Sequence, residues 1–220
     1  MSLTLAIGHK NYSSWSLRPW IFLKHLGLEF REAMLPLYTD AFASEIAKYS
    51  PTGKVPALAD GDVHVWDSLA IIEYLAEKAG RGWPRDVSAR ALARSVSAEM
   101  HSGFPHLRAQ CAMNIRGRRR VPPTPELKRD IERIDAIWRD CRTRFGRGGA
   151  WLFGEYSAAD AMYLPVATRF NTYGIELSPE SREYLKAALA DPFFQEWYRA
   201  AEAETFRSQA IDSLGVPAQA

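Results

Sequence analysis

An α/β domain followed by an all-helical domain is the architecture that this 220-residue sequence predicts, and three observations carry it. Short apolar runs of strand type alternate with segments of helical period through residues 1–80. A single linker-like stretch, Ala79-Gly80-Arg81-Gly82-Trp83-Pro84-Arg85-Asp86, then interrupts the chain. Beyond it the strand signals vanish and only helix-favouring segments remain. The expected division is 1–80 for the α/β domain, 81–89 for the linker and 90–220 for the helical domain.

The first domain reads β-α-β-α-β-β-α. Leu3, Leu5 and Ile7 mark a strand, and an apolar-periodic helix follows over 17–26, ended by Gly27. Phe30 to Leu35 is a second strand, and a moderately helical segment, Phe42 to Tyr49, stops before Ser50-Pro51-Thr52-Gly53. Val55–Ala59 and Val63–Trp66 flank Asp60-Gly61-Asp62, a hairpin-type turn signal. Asp67 and Ser68 are able to cap Leu69–Lys78, whose Leu69, Ile72, Leu75 and Ala76 form one apolar stripe before Gly80, a fitting residue just past a helix end. A βαβ unit, an antiparallel hairpin and a helix make a four-stranded mixed sheet; the right-handed crossover nearly fixes its topology as thioredoxin-like. In the second domain helices are expected over Val87–Gly117, Pro125–Phe145, Ser157–Tyr173, Ser178–Leu189 and Asp191–Glu204, with Pro165 kinking the third. The last two open on a capping residue followed by proline, Ser178-Pro179 and Asp191-Pro192.

Composition excludes several functions. A net charge of +2 is too mild to imply nucleic acid or an acidic membrane as partner. The basic run Arg116-Gly117-Arg118-Arg119-Arg120 leads into Val121-Pro122-Pro123-Thr124-Pro125 and reads as a solvated loop between helices. Cys111 and Cys141 lie 30 positions apart without CxxC or flanking histidines, against a metal site, a disulfide framework or a dithiol redox centre. The five histidines show no ligand-like spacing. With no basic leader and no apolar run approaching a membrane span, a soluble cytoplasmic protein is expected.

Three junctions carry chemistry. Asn11-Tyr12-Ser13-Ser14-Trp15-Ser16-Leu17-Arg18 places hydroxyls between a strand and a helix, where free N–H groups and the positive helix end favour an anion. Each serine there is either an N-cap, with Ser16 the candidate, or a donor to a ligand. Val55-Pro56 starts the third strand, where one way to accommodate a proline is a cis peptide that turns the preceding backbone groups outward. Asp67-Ser68 offers a helix N-terminus and a hydroxyl to a carboxylate, and the Asp67 carboxylate to an ammonium, unless both are an ordinary cap. Together these suit a zwitterionic peptide that carries a thiol.

Four segments bring the chain to a family: Tyr12–Arg18, Ser50-Pro51-Thr52-Gly53-Lys54-Val55-Pro56-Ala57-Leu58, Trp66-Asp67-Ser68-Leu69-Ala70-Ile71-Ile72-Glu73-Tyr74-Leu75, and Ser157-Ala158-Ala159-Asp160-Ala161. Over nearly its whole length the chain resembles the glutathione S-transferase superfamily. The fourth segment is similar to the family's helical capping box, which makes Ser157 and Asp160 folding determinants. The first looks most like the zeta class, with its Ser-Ser-Cys-x-x-Arg. With Arg18 on the motif's arginine, Ser13 and Ser14 fall on the two serines and Trp15 on the cysteine. That departure removes the loop thiol of zeta enzymes and the cysteine-nucleophile chemistry of omega-like relatives.

The resemblance implies a homodimeric glutathione transferase, with glutathione as substrate, no metal, a small-molecule electrophile as second substrate, and neither nucleic acid nor membrane as partner. Ser13 and Ser14 are the implied catalytic donors to the thiol, Ser13 first. Glutathione binding is implied for Ser13, Ser14, Lys54, Val55, Pro56, Asp67 and Ser68. Candidates for the electrophile site are Arg18, His101, Phe104 and Arg169, with Met100, His106 and Met113 nearby by helical spacing. Arg18 either orients the loop or contacts the electrophile. Arg169 is similar to a zeta arginine that holds a substrate carboxylate, with a surface role as the other reading. The alternatives to a transferase are a non-catalytic glutathione-binding module of the same fold and a glutathione-dependent cis–trans isomerase acting on a maleylacetoacetate-like diacid.

Overall fold

The computed structural model describes residues 3–37 and 39–218. Strands β1 (Leu3–Ile7), β2 (Phe30–Met34), β3 (Ala57–Asp60) and β4 (Val63–Trp66) form one sheet in the order β2-β1-β3-β4. β1 and β2 run parallel, while β1–β3 and β3–β4 are antiparallel. All five residues of β1 are buried, as expected for a central strand covered on both faces. Helices α1 (Ser14–His25), α2 (Ala41–Ile46) and α3 (Ser68–Ala79) complete the thioredoxin-like βαβαββα unit. The Val55–Pro56 peptide is cis. Asp67 caps α3 by accepting the N–H groups of Leu69 and Ala70, and Gly80 closes the helix in the left-handed conformation.

The second half is helical: α4 (Val87–Ser102), α5 (Pro105–Gln110), α6 (Pro125–Phe145), α7 (Ala158–Tyr173), α8 (Pro179–Ala190), α9 (Pro192–Ala203) and the short α10 (Gln209–Asp212). Two expectations need correction. The single helix over Val87–Gly117 breaks after Ser102, because extended Gly103 is followed by Phe104 at φ 62° and Pro105 starts a new helix. Strand structure also does not end with the first domain: β5 (Arg119–Arg120) pairs with β6 (Val216–Pro217) as an antiparallel ribbon. The basic run is therefore anchored and is not a free loop. Arg119 donates to the carbonyls of Leu214 and Gly215, and Arg116 to those of Ala201, Glu204 and Phe206.

Helix α7 is the axis of the molecule, buried at 15 of its 16 residues and packed on both α1 and α4. Its start is set by the expected capping box. The Asp160 carboxylate accepts the N–H and hydroxyl of Ser157 and also the N–H of Leu152. The helix runs on through Pro165, whose carbonyl takes the Thr168 hydroxyl. One apolar core extends from β1 and α1 through α7 to α9, so the two halves pack on a common interior.

Candidate functional site

Strand register brings the three sequence motifs to one place. Ala6, next to the end of β1, pairs with Ala57 at the start of β3, and Ala57 pairs in turn with Trp66 at the end of β4. The loop leaving β1, the Val55–Pro56 segment entering β3 and the Asp67–Ser68 turn leaving β4 therefore share one end of the sheet. Lys54 is exposed there, Val55 half-buried and Pro56 buried.

The serine loop is tightly held. Ser13 occupies the N-cap position of α1 but makes no side-chain capping bond. Its hydroxyl lies 2.7 Å from that of Ser16, whose Oγ accepts the Gly8 N–H at 3.1 Å. Ser16 is thus not the cap expected from sequence; it ties the first turn of α1 back to the end of β1. The Ser14 hydroxyl accepts a bond from Arg169 Nη2 at 3.1 Å, reaching across from α7. Ser13 and Ser14 keep 7% and 6% exposure, whereas Ser16 has none, so of the three only the first two residues retain contact with solvent.

Around them stands a cluster of cations. Arg18, 1% exposed, donates to Ser68 Oγ at 3.4 Å, joining the serine helix to α3. Its guanidinium stacks on Trp15 at 4.4 Å, and that of Arg108 on the same ring at 4.7 Å. His101 meets the Trp15 edge and places Nε2 3.3 Å from Asp67 Oδ2. Burial, then the nearby Arg108 and Arg169, hold the Arg18 guanidinium well below the usual arginine range, against the pull of Asp67. Burial first and then Arg108 push Arg169 down to about 10, still cationic at neutral pH. His101 is lowered by burial and by Arg18 and Arg108, opposed by Asp67. The Nε of Arg18 and the Nδ1 of His101 are buried without a hydrogen-bond partner among the described residues. An excess of positive charge and two orphaned polar atoms are what an anionic, polar ligand would satisfy.

The electrophile-site candidates divide. Arg18, His101 and Arg169 converge on Trp15 and Ser14. The surface reading of Arg169 does not hold, since it is 5% exposed and also donates to the Cys111 carbonyl at 2.5 Å. Phe104, Met100 and Met113 are buried core residues. His106 is exposed on α5 and its N–H goes to Asp130, apart from the cluster. Trp15 stands where a thiol would have stood, and the chain's own cysteines are inert: burial raises Cys111 to about 11 and Cys141 to about 12.

Sequence reasoning missed the clasp behind the loop. Glu204 accepts the backbone N–H groups of Lys10 and Asn11 at 2.6 and 3.0 Å. Asp212 takes the Tyr12 hydroxyl at 2.8 Å and the Asn114 amide at 2.8 Å, and Asn114 accepts from Asn11 at 2.9 Å. Arg116 donates to the Tyr12 hydroxyl at 3.2 Å. The segment after α9 thus fixes residues 10–12 immediately before the serines.

Against known proteins, a family model described as the glutathione S-transferase N-terminal domain matches residues 12–78, and one described as the C-terminal domain matches residues 124–200. Glutathione S-transferase Z1 of Arabidopsis thaliana is 41% identical over 106 residues, covering 44% of this chain and 48% of that protein, so the alignment spans about half of either. Glutathione S-transferase theta-3 of Mus musculus is 29% identical over 201 residues, 80% of each chain. The crystal structure of a Burkholderia glutathione transferase homologue with bound glutathione superimposes with a TM-score of 0.72 and 22% identity, covering 93% of this chain and 100% of that one. At that identity the likeness is one of fold.

Proposed function

This chain belongs to the glutathione S-transferase superfamily, and from that premise we propose that it binds glutathione at the shared sheet end and ionises its thiol for attack on a small electrophile. The observation that carries the reading is the strand register. It sets the serine loop, Val55–Pro56 and Asp67–Ser68 at one edge, where a peptide the size of glutathione reaches all three. Asp67 pairs with the γ-glutamyl ammonium, and Ser68 with the N-terminus of α3 holds its carboxylate. Val55 offers its backbone to the cysteinyl residue, with Pro56 shaping that edge, and Lys54 meets the remaining carboxylate. The serine hydroxyls then donate to sulfur. A solved homologue of the same fold that holds glutathione supports the choice of ligand.

A free thiol with a pKa of about 8.5 is only a few per cent ionised at neutral pH. Donors aimed at sulfur, together with the positive end of α1, favour the thiolate; each unit of depression is worth about 1.4 kcal/mol, within reach of one charge-assisted hydrogen bond. The thiol proton leaves to solvent, sulfur forms a bond to the electrophilic carbon, and in a substitution the leaving group departs with its bonding pair. The absence of any thiol at Trp15 and the raised Cys111 and Cys141 favour glutathione as the source of the nucleophile. The electrophile lies between the serine loop and α4 and α7, against Trp15 and His101, where the cationic cluster favours anionic character.

The functional unit is a homodimer, with a second copy covering exposed apolar side chains of the edge strand, Val63 and Trp66. Light scattering at micromolar concentration should give the mass of two chains; a monomer would remove this part of the reading. The catalytic part is tested with a generic aryl halide. Turnover is expected with glutathione and not without it; its absence under both conditions, with glutathione still bound, returns the chain to a binding module.

A further inference from the structure

We infer that both hydroxyl hydrogens of the serine pair are left to donate to a ligand because a buried donor occupies an acceptor site on each oxygen, Ser16 behind Ser13 and Arg169 behind Ser14. This assigns Ser16 and Arg169 as positioning residues for thiol ionisation, and it rests on the glutathione reading above.

The argument is one of satisfied valences. A serine hydroxyl has one hydrogen to give and two lone pairs to receive. Ser16 is fully enclosed, and its Oγ already receives the Gly8 N–H. Among the bonds of the described residues, Ser13 Oγ at 2.7 Å is the acceptor that remains for its hydrogen. A buried hydroxyl that kept its hydrogen unpaired would forfeit a hydrogen bond it makes to water when unfolded. The bond therefore runs Gly8 N–H to Ser16, and Ser16 O–H to Ser13. With its oxygen already accepting, Ser13 has its own hydrogen left, and a chain of hydrogen bonds polarised in one direction strengthens its last member.

Ser14 reaches the same condition by another route. Arg169 has no acceptor to offer, so in the 3.1 Å contact Ser14 Oγ is the recipient. The guanidinium is pinned from its other side by the Cys111 carbonyl at 2.5 Å and enclosed at 5% exposure. No carboxylate bonds it among the described residues. A buried cation whose charge is spent on a hydroxyl sharpens that hydroxyl as a donor to an anion. One serine is thus backed by a neutral relay within the first domain, and the other by a charged contact 155 positions away in the second.

Neither Ser16 nor Arg169 needs to touch sulfur for this to work. If their roles were structural only, substitution would lower the melting temperature and leave the bound thiol's ionisation unchanged. The test is therefore spectroscopic. Ultraviolet absorbance of the thiolate, followed against pH with glutathione saturating the full-length protein, reads the pKa of the bound thiol without turnover. Calorimetry on the same samples confirms binding, and thermal melts confirm folding. In Ser16→Ala the bound thiol pKa should rise by roughly half a unit or more, and in Arg169→Met by roughly one unit. Arg169→Lys, which keeps the charge and a donor, should recover part of that rise. Where wild type binds glutathione, an unchanged thiol pKa in either Ser16→Ala or Arg169→Met, folded and saturated, overturns the inference. Failure of wild type to bind at all is a different result, and it removes the glutathione reading itself.

Discussion

Asp67 shows how much one residue is asked to do. Its carboxylate accepts from Leu69 N–H at 2.8 Å and from Ala70 N–H at 3.4 Å while its backbone stands at φ 74°. Few residues other than glycine adopt a positive φ, and at ψ 135° this one lies outside the left-handed helical well. Truncation to alanine removes the cap, worth about 1 kcal/mol. Asp67→Ala should therefore lose about 1 kcal/mol in chemical denaturation, whereas Asp67→Asn, which keeps an acceptor, should stay close to wild type. Equal losses would show that the cap does not set this turn. The difference matters for function, because only the asparagine variant separates loss of the charge from loss of the fold.

At the scale of elements, α7 ties the two halves together and Asp160 sets its first turn. Burial pushes the Asp160 carboxyl up to about 6, against the bonds it accepts from Leu152 N–H and from the Ser157 N–H and hydroxyl. In the unfolded chain an aspartate titrates near a pKa of about 3.9. Between those values the native state retains a proton that the unfolded state has lost, so this residue's contribution is fully present below about pH 4 and is lost as pH rises through 6. Melting temperatures across pH 4–7 should show that decline in wild type and not in Asp160→Asn. An identical slope in both would place the titration elsewhere.

The whole molecule divides into what local pattern reveals and what only tertiary structure does. The hairpin around Gly61, the cap at Asp67–Ser68 and the capping box of α7 were legible, because each is fixed by residues within a few positions of one another, and the four-stranded sheet followed from the order of its elements and the handedness of the crossover. The break at Phe104 was not: a phenylalanine at φ 62° carries no signal of its own, though Gly103 and Pro105 flank it. Nor was the clasp, since Glu204 and Asp212 meet residues 10–12 from almost 200 positions away with no spacing to announce them. At the candidate site, Ser13, Ser14, Asp67 and Ser68 were proposed from their junctions, but the bonds that Ser16 and Arg169 make to the serine loop were not foreseen, because their partners come from the end of β1 and from another helix.

The central claim is that this sheet end holds glutathione by its γ-glutamyl group, and calorimetric titration tests it most directly. Glutathione should bind wild type, and Asp67→Asn should bind tenfold or more weakly, because a charge-assisted hydrogen bond is worth about 1.5–3 kcal/mol. Equal affinity in the two proteins would contradict the placement, and no binding to wild type would contradict the function.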